Sequence, residues 1–245
     1  MRLGPQPPLG FAHRGARLEA PDNSLEAFTR ALATGAQGLE TDCRLSADGE
    51  VVCAHDASVG SGLRRRKVRD LDTADLARLG IPRLADVFAS LGSAFELSVD
   101  AQEVAVIEPL LAVVGAAGAT DRLWLCHPDL EVLRGVRAST AAHLVHSRRS
   151  ERLTAPHERH AHDLAAAGIE VMNFHHSDWT AGLVSLFHRF GIRAFAWDAQ
   201  ETRHLRRMLE IGIDGLYCDR PDRLVATLGE WTAGPASAGP PPTGT

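Results

Sequence analysis

Residues 9–45 read LGFAHRGARLEAPDNSLEAFTRALATGAQGLETDCRL, two strand-length runs joined by a longer helical one. The runs are LGFAHR (9–14) and GLETDCRL (38–45). Between them, NSLEAFTRALATGA puts Leu25, Phe28, Ala31 and Leu32 on one face, with Asn23 or Ser24 as cap and Gly35 as stop. A strand, a helix and a second strand in that order predict a parallel pair, because the helical crossover returns the chain to the same end of the sheet.

The pattern continues to Leu228. Further strands are predicted at FELSVD (95–100), RLWLCH (122–127), AHLVHS (142–147), EVMNFHH (170–176), RAFAWDA (193–199) and GLYCDR (215–220). EVVCAHD (50–56) follows the second strand through the turn-forming SADG, so it is expected to pair locally. Helical spacing recurs in DLEVLRGVRA, AGLVSLFHRFG and ETRHLRRMLEIG, the last two ending on a glycine suited to a left-handed cap. Eight such units predict an α/β fold, a single-domain (β/α)8 TIM barrel over residues 9–230 after a short lead at 1–8. No Gly-rich phosphate loop follows the first strand, which argues against a doubly wound sheet. The Gly- and Pro-rich stretch 231–245 is expected to be a disordered tail.

Composition narrows the function classes. With 44% hydrophobic and 23% charged residues in 245, the chain can bury a large core. A net charge of -5 argues against a nucleic-acid binder, which needs excess positive charge. No apolar stretch has signal-peptide or membrane-spanning length, so a cytoplasmic protein without stable membrane insertion is expected. The four cysteines form no C-x-x-C pair and are expected as buried free thiols. Histidines in HLVHS, HERHAH and FHH have no recognised zinc-ligand spacing.

In a barrel, chemistry gathers at the C-terminal ends of the strands. His13 and Arg14 end the first strand; Glu40 and Asp42 alternate in the second and so share a face. His55 and Asp56 close the extra run, and Asp100 closes the third strand. Glu40, Asp42 and Asp100 together form an all-oxygen set suited to a hard divalent cation, Mg²⁺ or Ca²⁺. His13 and His55 can serve as general acid and base, and the planar fork of Arg14 matches a phosphate. Metal, acid, base and anion clamp describe phosphodiester cleavage. His127, ending the fourth strand, and Trp197, in the seventh, are further candidates for contact with substrate.

These residues resemble the glycerophosphodiester phosphodiesterases, whose pattern runs H-R, E-x-D, H-D. Here it appears as AHRGARLEAPDNSLEAF and GLETDCRLSADGEVVCAHD, with IPRLADVF before strand three and FAWDAQETRHLRRMLEIGIDGLYCDRPDRL over the last two units. The resemblance covers about residues 9 to 228. It implies a TIM barrel that hydrolyses small glycerophosphodiesters to sn-glycerol 3-phosphate and an alcohol. It further implies His13 and His55 as the acid/base pair, Glu40 and Asp42 as metal ligands, and Arg14 as the phosphate ligand.

The family's third ligand is usually a glutamate in an E-x-K arrangement; here Asp100 stands at the ligand position and Gln102 at the lysine. Gln102 can still donate a hydrogen bond to substrate. A charge missing about 4 Å from a phosphate forfeits up to about 4 kcal/mol at an effective dielectric near 20. Attenuated activity is therefore expected, with LRRRK (63–67) as a source of replacement charge. Two other functions remain open on sequence: a non-catalytic binder of glycerophosphodiesters, and a phosphodiesterase or lyase acting on lysophospholipid or sphingolipid head groups.

Overall fold

β1 (Leu9–His13) pairs in parallel with β2 (Gly38–Leu45) on one side and with β11 (Gly215–Cys218) on the other, which closes the sheet on itself. The structure, a computed structural model, describes residues 7–60 and 65–234. Between β2 and β11 the ring is completed by β6 (Glu96–Ala101), β7 (Leu123–His127), β8 (His143–Ser147), β9 (Val171–His175) and β10 (Arg193–Trp197), each parallel to its neighbours. The result is the predicted (β/α)8 barrel, each strand lying within two residues of its sequence-based limits.

The crossovers follow the predicted order. α1 (Leu25–Ala33) joins β1 to β2, its N-terminus capped by Ser24, which accepts from the Ala27 N–H at 3.1 Å. β3 (Val51–Cys53) pairs antiparallel with the end of β2, as expected of a run following a tight turn. β4 (Ser58–Val59) and β5 (Arg66–Lys67) form a separate small hairpin before α2 (Thr73–Arg78) and α3 (Leu84–Leu91). Then come α4 (Ile107–Ala116), α5 (Leu130–Arg137), α6 (His157–Ala166), α7 (Ala181–Arg189), α8 (Thr202–Glu210) and α9 (Pro221–Ala233). α9 enters the stretch expected to be a tail and runs to Ala233; residues 235–245 lie outside the described residues. Among the described residues no helix is long and apolar enough to cross a membrane. All four cysteines are free and buried, packing as small apolar groups.

Strand alternation divides the core in two. Leu39, Leu97, Leu123, Leu125, Leu144 and their neighbours face outward under the helices. Phe11, Trp124, Phe195 and Tyr217 face inward and fill the barrel axis, Phe11 stacking on Tyr217 at 5.0 Å between centroids and meeting Trp124 and Phe195 edge-on or tilted. Gly38 lies beside Phe11 in the register, where a Cβ would stand 2.7 Å from the Phe11 ring. The barrel is thus plugged by aromatic rings below its mouth, and polar groups above the plug are cut off from solvent on one side.

The chain leaves β1 through a sharp corner. Arg14 and Gly15 both take positive φ, 57° and 77°, and the Ala16 N–H bonds the Ala27 carbonyl of α1 at 2.9 Å. A Cβ on Gly15 would lie 2.6 Å from the backbone carbon of Ala27. Gly15→Ala therefore combines left-handed backbone with a contact to rigid main chain, and is expected to cost at least about 2 kcal/mol of stability. Urea denaturation checks this; a loss below about 0.5 kcal/mol would mean that the corner relaxes freely.

Candidate active site

The corner aims His13 inward and turns Arg14 back onto β2. The His13 Nδ1 lies 2.6 Å from the Asp219 carboxylate, and its Nε2 lies 3.8 Å from Glu40. Asp219 follows β11, the strand next to β1. Burial raises the Asp219 pKa, but the His13 hydrogen bond and the charges of His13 and Arg17 outweigh it and hold the carboxyl below its usual range. An ionised Asp219 accepts from Nδ1–H, which leaves Nε2 as the nitrogen presented to the cavity.

Glu40, Asp42 and Asp100 stand together above the aromatic plug, one oxygen of each within 4.8 Å of the others. Asp42 and Asp100 are direct neighbours in the β2–β6 register. Glu40 is 4% and Asp42 2% exposed, so their charges must be met inside the protein. The Arg14 backbone N–H donates to Glu40 at 2.9 Å, and the Arg14 Nε pairs with Asp42 at 3.0 Å. Asp42 also accepts from Asn23 at 3.1 Å and from Gln102 at 2.7 Å. Asn23 was one of two cap candidates; its side chain serves the carboxylate instead, and Ser24 caps the helix.

One guanidinium does not balance three acids. Burial, followed by the charge of Asp42, pushes the Asp100 carboxyl up to about 6. Burial and the charges of Asp42 and Asp100 likewise push Glu40 well above the usual range. Burial opposes the Arg14 charge, yet Asp42, Glu40 and Asp22 outweigh it and raise its pKa. Converging hard oxygen donors with excess negative charge fit a divalent cation, which would relieve the mutual repulsion.

A cavity of about 470 Å³ opens over this group, and His13, Arg14, Glu40, Asp100, Trp197 and Asp219 all line it. His55 opens on an adjoining cavity of about 540 Å³, with which the first shares Arg14 and Arg17 as a common wall. The His55 Nδ1 lies 2.8 Å from Asp56, and Arg44 anchors the loop by donating to the His55 carbonyl at 2.9 and 2.7 Å.

Two expected substrate contacts are corrected. His127 ends β7 but shares the outward face with Leu123 and Leu125; it is 8% exposed, accepts from the Asp129 N–H at 3.0 Å, and burial lowers its pKa. It packs outside the barrel. Gln102 lines neither cavity, because its amide is committed to Asp42, with Arg44 donating toward its carbonyl oxygen at 3.4 Å. Within LRRRK, Arg66 pairs with Asp75 at 3.1 Å and Lys67 is exposed, while residues 61–64 lie outside the described residues. Among the described residues, Arg44, from β2, is the cation beside Gln102.

Sequence reasoning missed Asp219 and Arg17, which line the cavity with His13. Asp219 had the same signal as His13, a polar residue just past a strand and in phase with the inward-facing Gly215 and Tyr217. The loop residue Arg17 had none.

The sequence matches the glycerophosphoryl diester phosphodiesterase family over residues 13–223. It is 28% identical over 240 residues to a glycerophosphodiester phosphodiesterase of Caldanaerobacter subterraneus subsp. tengcongensis, covering 89% of this chain and 96% of that protein. A probable glycerophosphodiester phosphodiesterase 2 of Mycobacterium tuberculosis is also 28% identical, covering 91% of this chain and 92% of the relative. The fold is shared with an Oleispira antarctica phosphodiesterase solved in complex with the product sn-glycerol-3-phosphate, with a TM-score of 0.77 at 20% identity over 91% of this chain and 97% of that one. With the family match running from His13 past Asp219, the chain belongs to the glycerophosphoryl diester phosphodiesterase family.

Proposed function

We propose that this protein hydrolyses glycerophosphodiesters to sn-glycerol 3-phosphate and an alcohol, using His13 and His55 as the acid/base pair and a divalent cation held by Glu40, Asp42 and Asp100. What carries this proposal is the His13–Asp219 pair lining one cavity with Glu40, Asp100 and Arg14, while the buried Asp42 crowds against the two carboxylates. A fold alone needs no such crowding.

Arg14 binds the phosphate. Its Nε is ion-paired with Asp42 without a hydrogen bond and one terminal amino group donates to Asp22 at 3.2 Å, leaving the other to donate to a phosphoryl oxygen. Mg²⁺ or Ca²⁺ bound by the three carboxylates would supply charge to neutralise a phosphate oxygen. His13, fixed by Asp219, presents Nε2 to exchange a proton, and His55 does the same from the far side of Arg14 and Arg17. Each histidine therefore carries a carboxylate on Nδ1, which stabilises the imidazolium when it forms. Gln102 acts on Asp42 rather than on substrate.

His13→Ala is expected to lower kcat for glycerophosphocholine at least about 10³-fold, and Asp219→Asn about 10²- to 10⁴-fold, by losing proton transfer and the correct tautomer respectively. Release of glycerol 3-phosphate, assayed with and without chelator, measures both; a fully active His13→Ala protein would overturn the assignment.

Asp100 gives a pH test. Its carboxyl titrates at about 6 in the fold and near 3.9 unfolded, so its contribution to stability is complete below about pH 4 and lost as pH rises through 6. Cation binding offsets that loss. Mg²⁺ or Ca²⁺ is expected to raise Tm at about pH 7.5, the increment shrinking as pH falls through 6 and protons compete. A pH-independent increment in thermal-shift measurements would put the cation elsewhere.

Gln102→Lys adds charge beside Asp42 and is expected to raise kcat/KM, by no more than about tenfold because Arg44 already stands there. An unchanged rate would show that the glutamine costs nothing.

A further inference from the structure

β8 is fifth in the ring counted from β1, and β9 is fifth counted from β2, so in a closed barrel of eight their ends face His13 and Glu40 across the mouth. That far wall carries Ser147, Arg148 and Asn173, all lining the same cavity. Asn173 is 4% exposed, and its backbone carbonyl is held by the Arg148 N–H at 3.1 Å. Its side-chain Nδ2 donates to the Ser147 Oγ at 3.1 Å, but its Oδ1 is buried without a partner among the described residues. A buried acceptor left unpaired costs stability unless a ligand or water fills it.

The chemistry of the wall is selective. Ser147, with its oxygen accepting from Asn173, keeps its own proton to donate; Asn173 Oδ1 accepts; Arg148 makes no ion pair among the described residues and donates with full charge. A hydroxyl group both donates and accepts, so it satisfies such a wall at once. A quaternary ammonium offers no hydrogen bond and meets the charge of Arg148. The groups that would hold such a cation are already engaged. Trp197 carries Arg149 over its ring at 6.0 Å and meets the His175 ring at 4.6 Å. Asp198 is bonded to His175 at 3.0 Å and to Gln200 at 3.2 Å.

We propose that Ser147, Arg148 and Asn173 form a subsite for the hydroxyl groups of the leaving alcohol, so that the preferred glycerophosphodiesters are those whose second alcohol is a polyol. This rests on the phosphodiesterase function proposed above, and deepens it. The two cavities meeting at Arg14 and Arg17 give each ester arm its own space, and the wall across the barrel receives the alcohol arm.

The test compares glycerophosphoinositol with glycerophosphocholine, reading glycerol 3-phosphate released by the full chain with divalent cation present. The wild type is expected to favour the inositol ester in kcat/KM by at least about tenfold, and Arg148→Ala and Asn173→Ala are each expected to bring that ratio toward one. Arg148 is only partly buried, so its variant keeps the test open if Asn173→Ala fails to fold. A wild-type ratio of one or less overturns the subsite, as do variants that slow both esters equally, which would mean that the wall binds the shared glycerol. A wild type inactive on both esters would instead sink the phosphodiesterase proposal, and the subsite with it.

Discussion

Three carboxylates crowded within 4.8 Å of one another, above a plug of aromatic rings, impose a charge that the rest of the mouth is built to meet. Water reaches the group only from the cavity, so burial raises the pKa of Asp100 and Glu40 and leaves Arg14 as the direct counter-charge. Arg14 can meet both acids because it adopts left-handed backbone at the end of β1: its N–H reaches Glu40 while its side chain folds onto Asp42. That conformation costs about 1–2 kcal/mol for a residue with a Cβ, and the charge beside it offsets the cost. Gly15 completes the corner against α1, and the loop leading back to α1 delivers Asn23 to Asp42.

The closure of the barrel and the position of the charged strand were legible because both depend on period. Alternation of strand and helix fixes a parallel ring, and the i, i+2 spacing of Glu40 and Asp42 puts both on one face. What misled was treating a strand's end as equivalent to its inner face. His127 and Asp219 both lie at or just past strand ends, yet one shares the phase of Leu123 and Leu125 and the other that of Gly215 and Tyr217. Applying the two-residue period to the end residues separates them without coordinates.

Gln102 failed for a different reason. It has the inward phase, but phase does not say which neighbour a flexible amide chooses, and the crowded Asp42 is the stronger acceptor at 2.7 Å. Arg44 was equally invisible: in sequence it is one more charge at the end of β2, and only the return of β3 brings the His55 carbonyl within reach of its guanidinium. Among the described residues, the cation beside Gln102 thus comes from the strand that carries the acids.

The two histidines differ in support more than in chemistry. His13 is fixed between two strands, held by a carboxylate with a depressed pKa. His55 sits on a loop, nearly half exposed, with Asp56 as its adjacent residue. A loop-borne group can move toward a bound phosphate at little cost, whereas a strand-borne one cannot. Under the proposed function His13 therefore defines where the phosphate must lie, and His55 adapts to it from the other side of Arg14. The wall shared by the two cavities is then the place where the scissile bond is presented to both, which is why Arg14 and Arg17, rather than either histidine, line both spaces.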